Sequence, residues 1–125
     1  MDHRKPTFAA TCHCGAIRIH VARVSRTLTR CNCSICRRYG VLWAYYKLPT
    51  VSVEAKRGAT ESYAWGRKKL KFVRCKTCGC VVVWQPVKPT AKSWTGVNYR
   101  NFPLDLLNAV RIRKLDGAAW DGHTH

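Results

Sequence analysis

Between residues 16 and 23 apolar and polar positions alternate. Ile17, Ile19 and Val21 fall on one side, with Arg18, His20 and Ala22 on the other. A period of two predicts a strand with one buried face, which leaves His20 exposed. Seven further segments read as strands: 41–46, 51–54, 62–65, 70–74, 81–85, 93–100 and 110–114. Each is short, rich in β-branched and aromatic residues, and set off by Gly, Pro or Thr. Helix signals are sparse. Residues 34–39 allow one turn, and 103–109 another that starts at Pro103. The pattern predicts a mainly β chain of short antiparallel strands with little helix.

A length of 125 residues predicts a single domain, 1–125, since domains commonly run to about 100–150 residues. With 46% apolar residues and five tryptophans the chain can bury a core, and a structural metal would still add to stability at this size. Trp43, Tyr45 and Tyr46 default to that core, with a pocket wall as the other reading. No stretch approaches the ~20 apolar residues that span a bilayer, so no membrane association is expected. The opening MDHRKPTFAATC lacks the apolar centre of a secretory signal. An intracellular, cytoplasmic and reducing location is the expectation.

The formal net charge is +17, which attracts anions of every kind, nucleic acid and small carboxylates alike. The segment 66–71 (GRKKLK), with Tyr63, Trp65 and Phe72 around it, fits a nucleic-acid-binding surface. A strand that buries Leu70 and Phe72 and turns its lysines to solvent is the preferred reading, because strand periodicity explains both residue types. A basic zinc module that binds nucleic acid or acts as an adaptor without catalysis is the alternative functional reading.

Eight cysteines change the picture most. They fall in three groups: Cys12 and Cys14; Cys31, Cys33 and Cys36; and Cys75, Cys78 and Cys80. Thiolates one or two residues apart converge on one ion from a tight turn, and zinc is the usual occupant. A disulfide framework is the competing reading, because the count is even. In a reducing compartment, ligands are favoured over disulfides. The pairs Cys12/Cys14 and Cys75/Cys78, each followed directly by a glycine, can complete one four-thiolate site of the closed, structural kind.

Cys31, Cys33 and Cys36 then remain as a three-ligand group. Such a site leaves one coordination position for substrate, which is the arrangement of catalytic zinc. Three thiolates make the centre formally −1, which suits thiol chemistry better than hydrolysis. Arg30, Arg37 and Arg38 flank it and offset the charge. Seven thiolates and two zinc ions together would leave the chain at about +14. Spacing alone does not fix the fourth ligand: Cys80 or His13 would close the site, and Cys80 also fits a small buried hydrophobe.

The ordered segments CHCGAIRIHV, CNCSICRRYG, RCKTCGC, TGVNYRNF and KLDGAAWDG resemble the glutathione-dependent formaldehyde-activating enzyme family, whose domain also occurs in centromere protein V. The resemblance runs from about Phe8 to Asp121. It implies a zinc-binding fold of the Mss4-like type and two zinc ions. Cys12, Cys14, Cys75 and Cys78 are implied as the structural ligands, and Cys31, Cys33 and Cys36 as the ligands of a second, catalytic zinc. The implied activity is that of a carbon–sulfur lyase, which makes and breaks S-hydroxymethylglutathione from glutathione and formaldehyde. Arg37, Arg38, Asn98 and Arg100 are the candidate substrate contacts, holding the carboxylates of a small anionic thiol such as glutathione.

Overall fold

A computed structural model describes residues 8–64, 68–108 and 110–116. Its ten described strands form two sheets. The smaller has the order β1-β2-β5, from Phe8–Thr11, Ile17–Val21 and Val51–Ala55. The larger runs β10-β3-β4-β9-β8-β7-β6. Its strands are β3 (Thr27–Cys31), β4 (Trp43–Lys47), β6 (Thr60–Ala64), β7 (Leu70–Cys75), β8 (Val81–Pro86), β9 (Trp94–Asn98) and β10 (Arg111–Leu115). Two short helices complete the set, α1 (Ser34–Tyr39) and α2 (Leu104–Asn108). No described helix is long and apolar enough to cross a membrane.

The alternation in β2 does what its period dictates. Ile17, Ile19 and Val21 are fully buried and share one apolar cluster with Leu28, Ala44, Tyr46, Val83 and Val97 of the larger sheet. This shared cluster joins the two sheets, and burial of such aliphatic side chains stabilises each by about 1.5–3 kcal/mol. His20 faces outward and meets Glu54 Oε1 across the β2–β5 pair at 3.0 Å. Trp43 and Tyr46 are core residues, while Tyr45 is half-buried.

Two strands lie outside the segments predicted from the pattern. In β3 (TLTRC) the buried set is Leu28, Thr29 and Cys31, so no apolar alternation marks it. In β1 the strand is four residues long and runs straight into the first cysteine group. The expectation that Leu70 is buried with Phe72 also fails. Phe72 is buried, but Leu70 sits at the end of the sheet opposite Pro86 and is exposed. Of the basic segment 66–71, Gly66 and Arg67 lie outside the described residues, as does Trp65.

The larger sheet departs from antiparallel pairing at one edge. β10 runs parallel to β3, with Arg111 opposite Thr27 and Leu115 opposite Cys31. Most of the chain separates these two strands, so no hairpin turn imposes the antiparallel sense. This pairing brings the C-terminal strand beside the second cysteine group.

Gly96 on β9 is a packing necessity. A Cβ there would lie 2.0 Å from the Trp84 ring nitrogen, so the indole occupies the space a side chain would need. Gly96→Ala is therefore expected to cost about 1–3 kcal/mol through overpacking. Thermal unfolding would read the loss and a shifted tryptophan emission the displaced ring. An unchanged midpoint would refute the packing argument.

Candidate metal centres and the adjoining pocket

The first cysteine cluster joins two tight turns from distant parts of the chain. Cys12 and Cys14 lie between β1 and β2, where the Gly15 N–H donates to the Cys12 carbonyl at 3.1 Å. Cys75 ends β7, and the Gly79 N–H donates back to the Cys75 carbonyl at 2.9 Å. Gly15 and Gly79 take φ values of +85° and +80°, a region that favours glycine, and so each turn can close tightly around its cysteines.

The sulfurs of Cys12, Cys14, Cys75 and Cys78 all lie within 4.8 Å of one another. The separations Cys12–Cys14 and Cys14–Cys75 are 3.7 and 3.5 Å. A tetrahedron with zinc–sulfur bonds of about 2.3 Å has edges of about 3.8 Å, whereas a disulfide needs about 2.05 Å. The spacing fits ligands around one ion, and all eight cysteines are unbridged. Backbone N–H groups of Ile17 and Cys78 point at the sulfurs of Cys12 and Cys75 at 3.3 and 3.4 Å, stabilising thiolate charge there.

The second cluster is local. Cys31 ends β3, Cys33 caps α1 and Cys36 lies within it, their sulfurs again within 4.8 Å of one another. All three are buried, and a separate apolar bed of Val41, Trp43, Phe72 and Val81 surrounds them. The Trp43 Nε1–H points at Cys36 Sγ at 3.4 Å. No fourth His, Cys, Asp or Glu joins this group among the described residues. Cys80 lies elsewhere. Its thiol interacts with the His13 backbone and Cys78, and it packs against the inter-sheet core. Neither Cys80 nor His13 belongs to either four- or three-cysteine group.

The Cys36 thiol is held well above its ordinary range, first by the hydrogen bond shared with Cys31 and then by burial. Without a cation the Cys36 sulfur keeps its proton. A bound dication reverses the preference, because a coordinating thiol deprotonates. Loading this cluster should therefore weaken as pH falls.

A pocket of ≈ 490 Å³ opens at the second cluster, within the usual range for a small-molecule site. Cys31 and Cys36 form part of its wall, with Val41 and Leu115 as apolar lining. Four cationic side chains line it as well: Arg30 from β3, Arg37 from α1, Arg100 from the turn after β9, and Lys114 from β10. Arg100 is oriented by its Nε–H, which donates to the Gly40 carbonyl at 3.0 Å. Asp116 is the one acid on the described wall, and its Oδ1 accepts from Asn32 Nδ2 at 2.9 Å.

The predicted contacts therefore divide. Arg37 and Arg100 line the pocket, whereas Arg38 does not and donates to the Ser34 carbonyl at 2.9 Å. Asn98 lies behind the wall. Its Oδ1 accepts from the Leu42 and Arg100 N–H groups at 3.2 and 3.1 Å, and its Nδ2 donates to the Val81 carbonyl at 2.8 Å. That is the geometry of a bracket that fixes the Arg100 backbone. Asn98→Ala would take from the buried Leu42 N–H its acceptor, at about 1–3 kcal/mol, and release the Arg100 N–H, while the Val81 carbonyl keeps the Asn101 Nδ2 donor at 3.0 Å. A fall in unfolding midpoint accompanied by weaker anion binding is the expected result; unchanged stability would contradict it.

Lys114, Asn32 and Asp116 escaped the sequence reading. Lys114 was visible only as the end of a basic strand, and its place depends on the parallel β3–β10 register, which no local pattern encodes.

A solved structure and a family match bear on this arrangement. The crystal structure of a Rhodobacter sphaeroides protein, a structural-genomics target, is similar to the chain with a TM-score of 0.69 and 30% identity. The match covers 85% of this chain and 100% of that one. No match is found among curated proteins. Residues 7–105, the greater part of the sequence and the span that holds all eight cysteines, match the model of the glutathione-dependent formaldehyde-activating enzymes. The chain belongs to the glutathione-dependent formaldehyde-activating enzyme family.

Proposed function

We propose that the protein is a zinc-dependent carbon–sulfur lyase that makes and breaks the adduct of a small anionic thiol with an aldehyde. Glutathione and formaldehyde are the pair named by its family. The observation that carries this reading is the position of Cys31 and Cys36 on the wall of a pocket lined by four cations. Two zinc ions are expected, a structural one held by Cys12, Cys14, Cys75 and Cys78, and a second one held by Cys31, Cys33 and Cys36. Zinc held by Cys31, Cys33 and Cys36 would supply charge stabilisation for a substrate thiolate.

The residues of this chain bind and orient. Arg30, Arg37, Arg100 and Lys114 hold substrate carboxylates, with Arg100 already aimed by the Gly40 carbonyl. Val41 and Leu115 supply the apolar part of the lining. The Trp43 indole N–H restrains Cys36 so that the cluster keeps one geometry. In the forward direction the substrate sulfur attacks the aldehyde carbon and a C–S bond forms. The carbonyl π pair moves to oxygen, which takes a proton from water. The reverse reaction breaks the same bond and returns thiolate and aldehyde. Positioning alone can supply much of such a rate enhancement, so the lack of an obvious general base is no obstacle.

The test is two-dimensional exchange NMR of glutathione with labelled formaldehyde, with and without zinc-loaded protein. Exchange clearly above the uncatalysed rate is expected. Exchange equal to the protein-free control across several thiols and aldehydes would overturn the proposal.

A further inference from the structure

The larger sheet has two faces, and the inter-sheet core of Leu28, Ala44, Tyr46, Val83 and Val97 takes up one of them. The opposite face carries a row of direct cross-strand partners: Tyr45, Gly96, Trp84, Phe72 and Tyr63. Partners across a ladder point the same way, so five adjacent strands set four aromatic rings on one side of the sheet. Phe72 is buried there beneath Tyr39 of α1, with ring centroids 5.7 Å apart. Tyr45 and Trp84 are half-buried, and Tyr63 is 45% exposed. The Trp84 indole lies over Gly96, which leaves it room on the sheet. Two residues further along, Lys47 and Trp94 are partners on the same face. Trp94 is 47% exposed, and Lys47 Nζ sits 4.5 Å from its ring centroid.

Charge selects the occupant of this face. Arg113 extends it on β10, where it is the partner of Thr29 and donates to that hydroxyl at 3.1 Å. Arg111 follows the same alternation. Three of the four described acids lie elsewhere: Glu54 beside His20, Asp105 on α2 and Asp116 at the pocket. Glu61 shares the face with Tyr63 but is already paired with Arg74 at 2.9 Å. Among the described residues, Lys47, Arg111 and Arg113 form no ion pair. A second copy of a chain at +17 would be repelled. A small carboxylate would use the cations and leave the rings idle, and a duplex hides its base faces within its own stack. A single strand offers phosphates and open base faces together, which is the pairing of cations and aromatics set out here.

We infer that the open face of the larger sheet binds single-stranded nucleic acid, its bases on Trp94, Tyr45 and Tyr63 and its phosphates at Lys47 and Arg113. None of these five side chains lines the pocket at the second cysteine cluster, so the inference stands apart from the lyase reading.

The probe is a short fluorescein-labelled oligothymidylate, titrated into the zinc-loaded full chain and followed by anisotropy over a salt series. Trp94→Leu removes a ring from an exposed position and is expected to weaken binding about fivefold or more, the effect of one lost stacking contact. Tyr63→Leu should act in the same way, and it carries the test if circular dichroism shows that Trp94→Leu has lost its fold. Lys47→Gln with Arg113→Gln should lower the slope of log affinity against log salt by about 1.4, for two phosphate contacts. Arg18→Gln with Lys56→Gln, on exposed positions at the smaller sheet, should leave that slope intact. The same strand annealed to its complement, and polyglutamate, should both bind more weakly and ignore Trp94→Leu. Unchanged affinity in the folded leucine variants overturns the inference. So does an equal loss of slope in both charge variants, which would mark general attraction to a basic protein. Duplex or polyglutamate held as tightly as the single strand would overturn it too, leaving only a cationic surface. Thiol-adduct exchange should survive all of these substitutions, so a failure of exchange in the parent protein bears on the lyase proposal alone.

Discussion

Cys75→Ser is expected to unfold the protein instead of weakening one site. Cys75 ends β7, is almost fully buried, and belongs to the only described cluster that ties the β1–β2 turn to the β7–β8 turn. A structural zinc of this kind has an apparent binding free energy of about 10–16 kcal/mol in small peptides. Net domain stabilities are only about 5–15 kcal/mol, so loss of the ion removes most or all of the margin. The sulfurs left facing one another cannot replace it. Circular dichroism in the near ultraviolet, read with metal content, checks this. A variant with a cooperative transition within a few degrees of the parent would show that the inter-sheet core stands without the staple.

Cys36→Ser is expected to give the opposite pattern: a folded protein that holds one zinc per chain in place of two and exchanges thiol adducts at the uncatalysed rate. The reason is the separation of the two apolar clusters. Ile17, Ile19, Val21, Leu28, Tyr46 and Val97 belong to the inter-sheet core, whereas Cys36 belongs to the smaller bed around Trp43 and Phe72. Loss of the Trp43 contact to sulfur should cost about 1–3 kcal/mol at most, because a serine hydroxyl offers a replacement acceptor. Metal analysis, thermal unfolding and exchange NMR on the same preparation give the three readouts. Two zinc ions retained, or exchange near the parent rate, would show that Cys36 is not a working ligand.

The contrast between these variants shows how unevenly the site is written along the chain. Cys31, Cys33 and Cys36 lie within six residues, so a single turn of α1 is enough to gather them, and their grouping is legible from spacing. Cys12, Cys14, Cys75 and Cys78 were legible as two pairs because each pair makes its own turn, with Gly15 or Gly79 closing it. Period-two alternation marked β2 well, since Ile17, Ile19 and Val21 face one core. It missed β3, where Thr29 is buried and donates nothing to an apolar count. There Arg113 reaches Thr29 Oγ1 at 3.1 Å, so the threonine is held by a polar partner from another strand.

Substrate contacts were the least legible part. Arg37 and Arg38 are adjacent in sequence, yet a helix turns consecutive side chains about 100° apart. One faces the pocket, and the other returns to the Ser34 carbonyl. Asn98 and Arg100 flank Tyr99 in one segment, but the bend there sends the amide inward and the guanidinium to Gly40.

By itself the sequence determined the mainly β character and the cysteine groupings, because short-range spacing and periodicity encode both, and its ordered motifs carried the family resemblance. The tertiary structure decided that Cys80 stands apart from the second cluster, that β10 pairs in parallel with β3, and that Lys114 comes to lie beside Arg30 at the pocket. Those facts depend on contacts between residues dozens of positions apart. Such contacts are selected by the burial of a shared core and by strand register, and neither leaves a local mark on the chain.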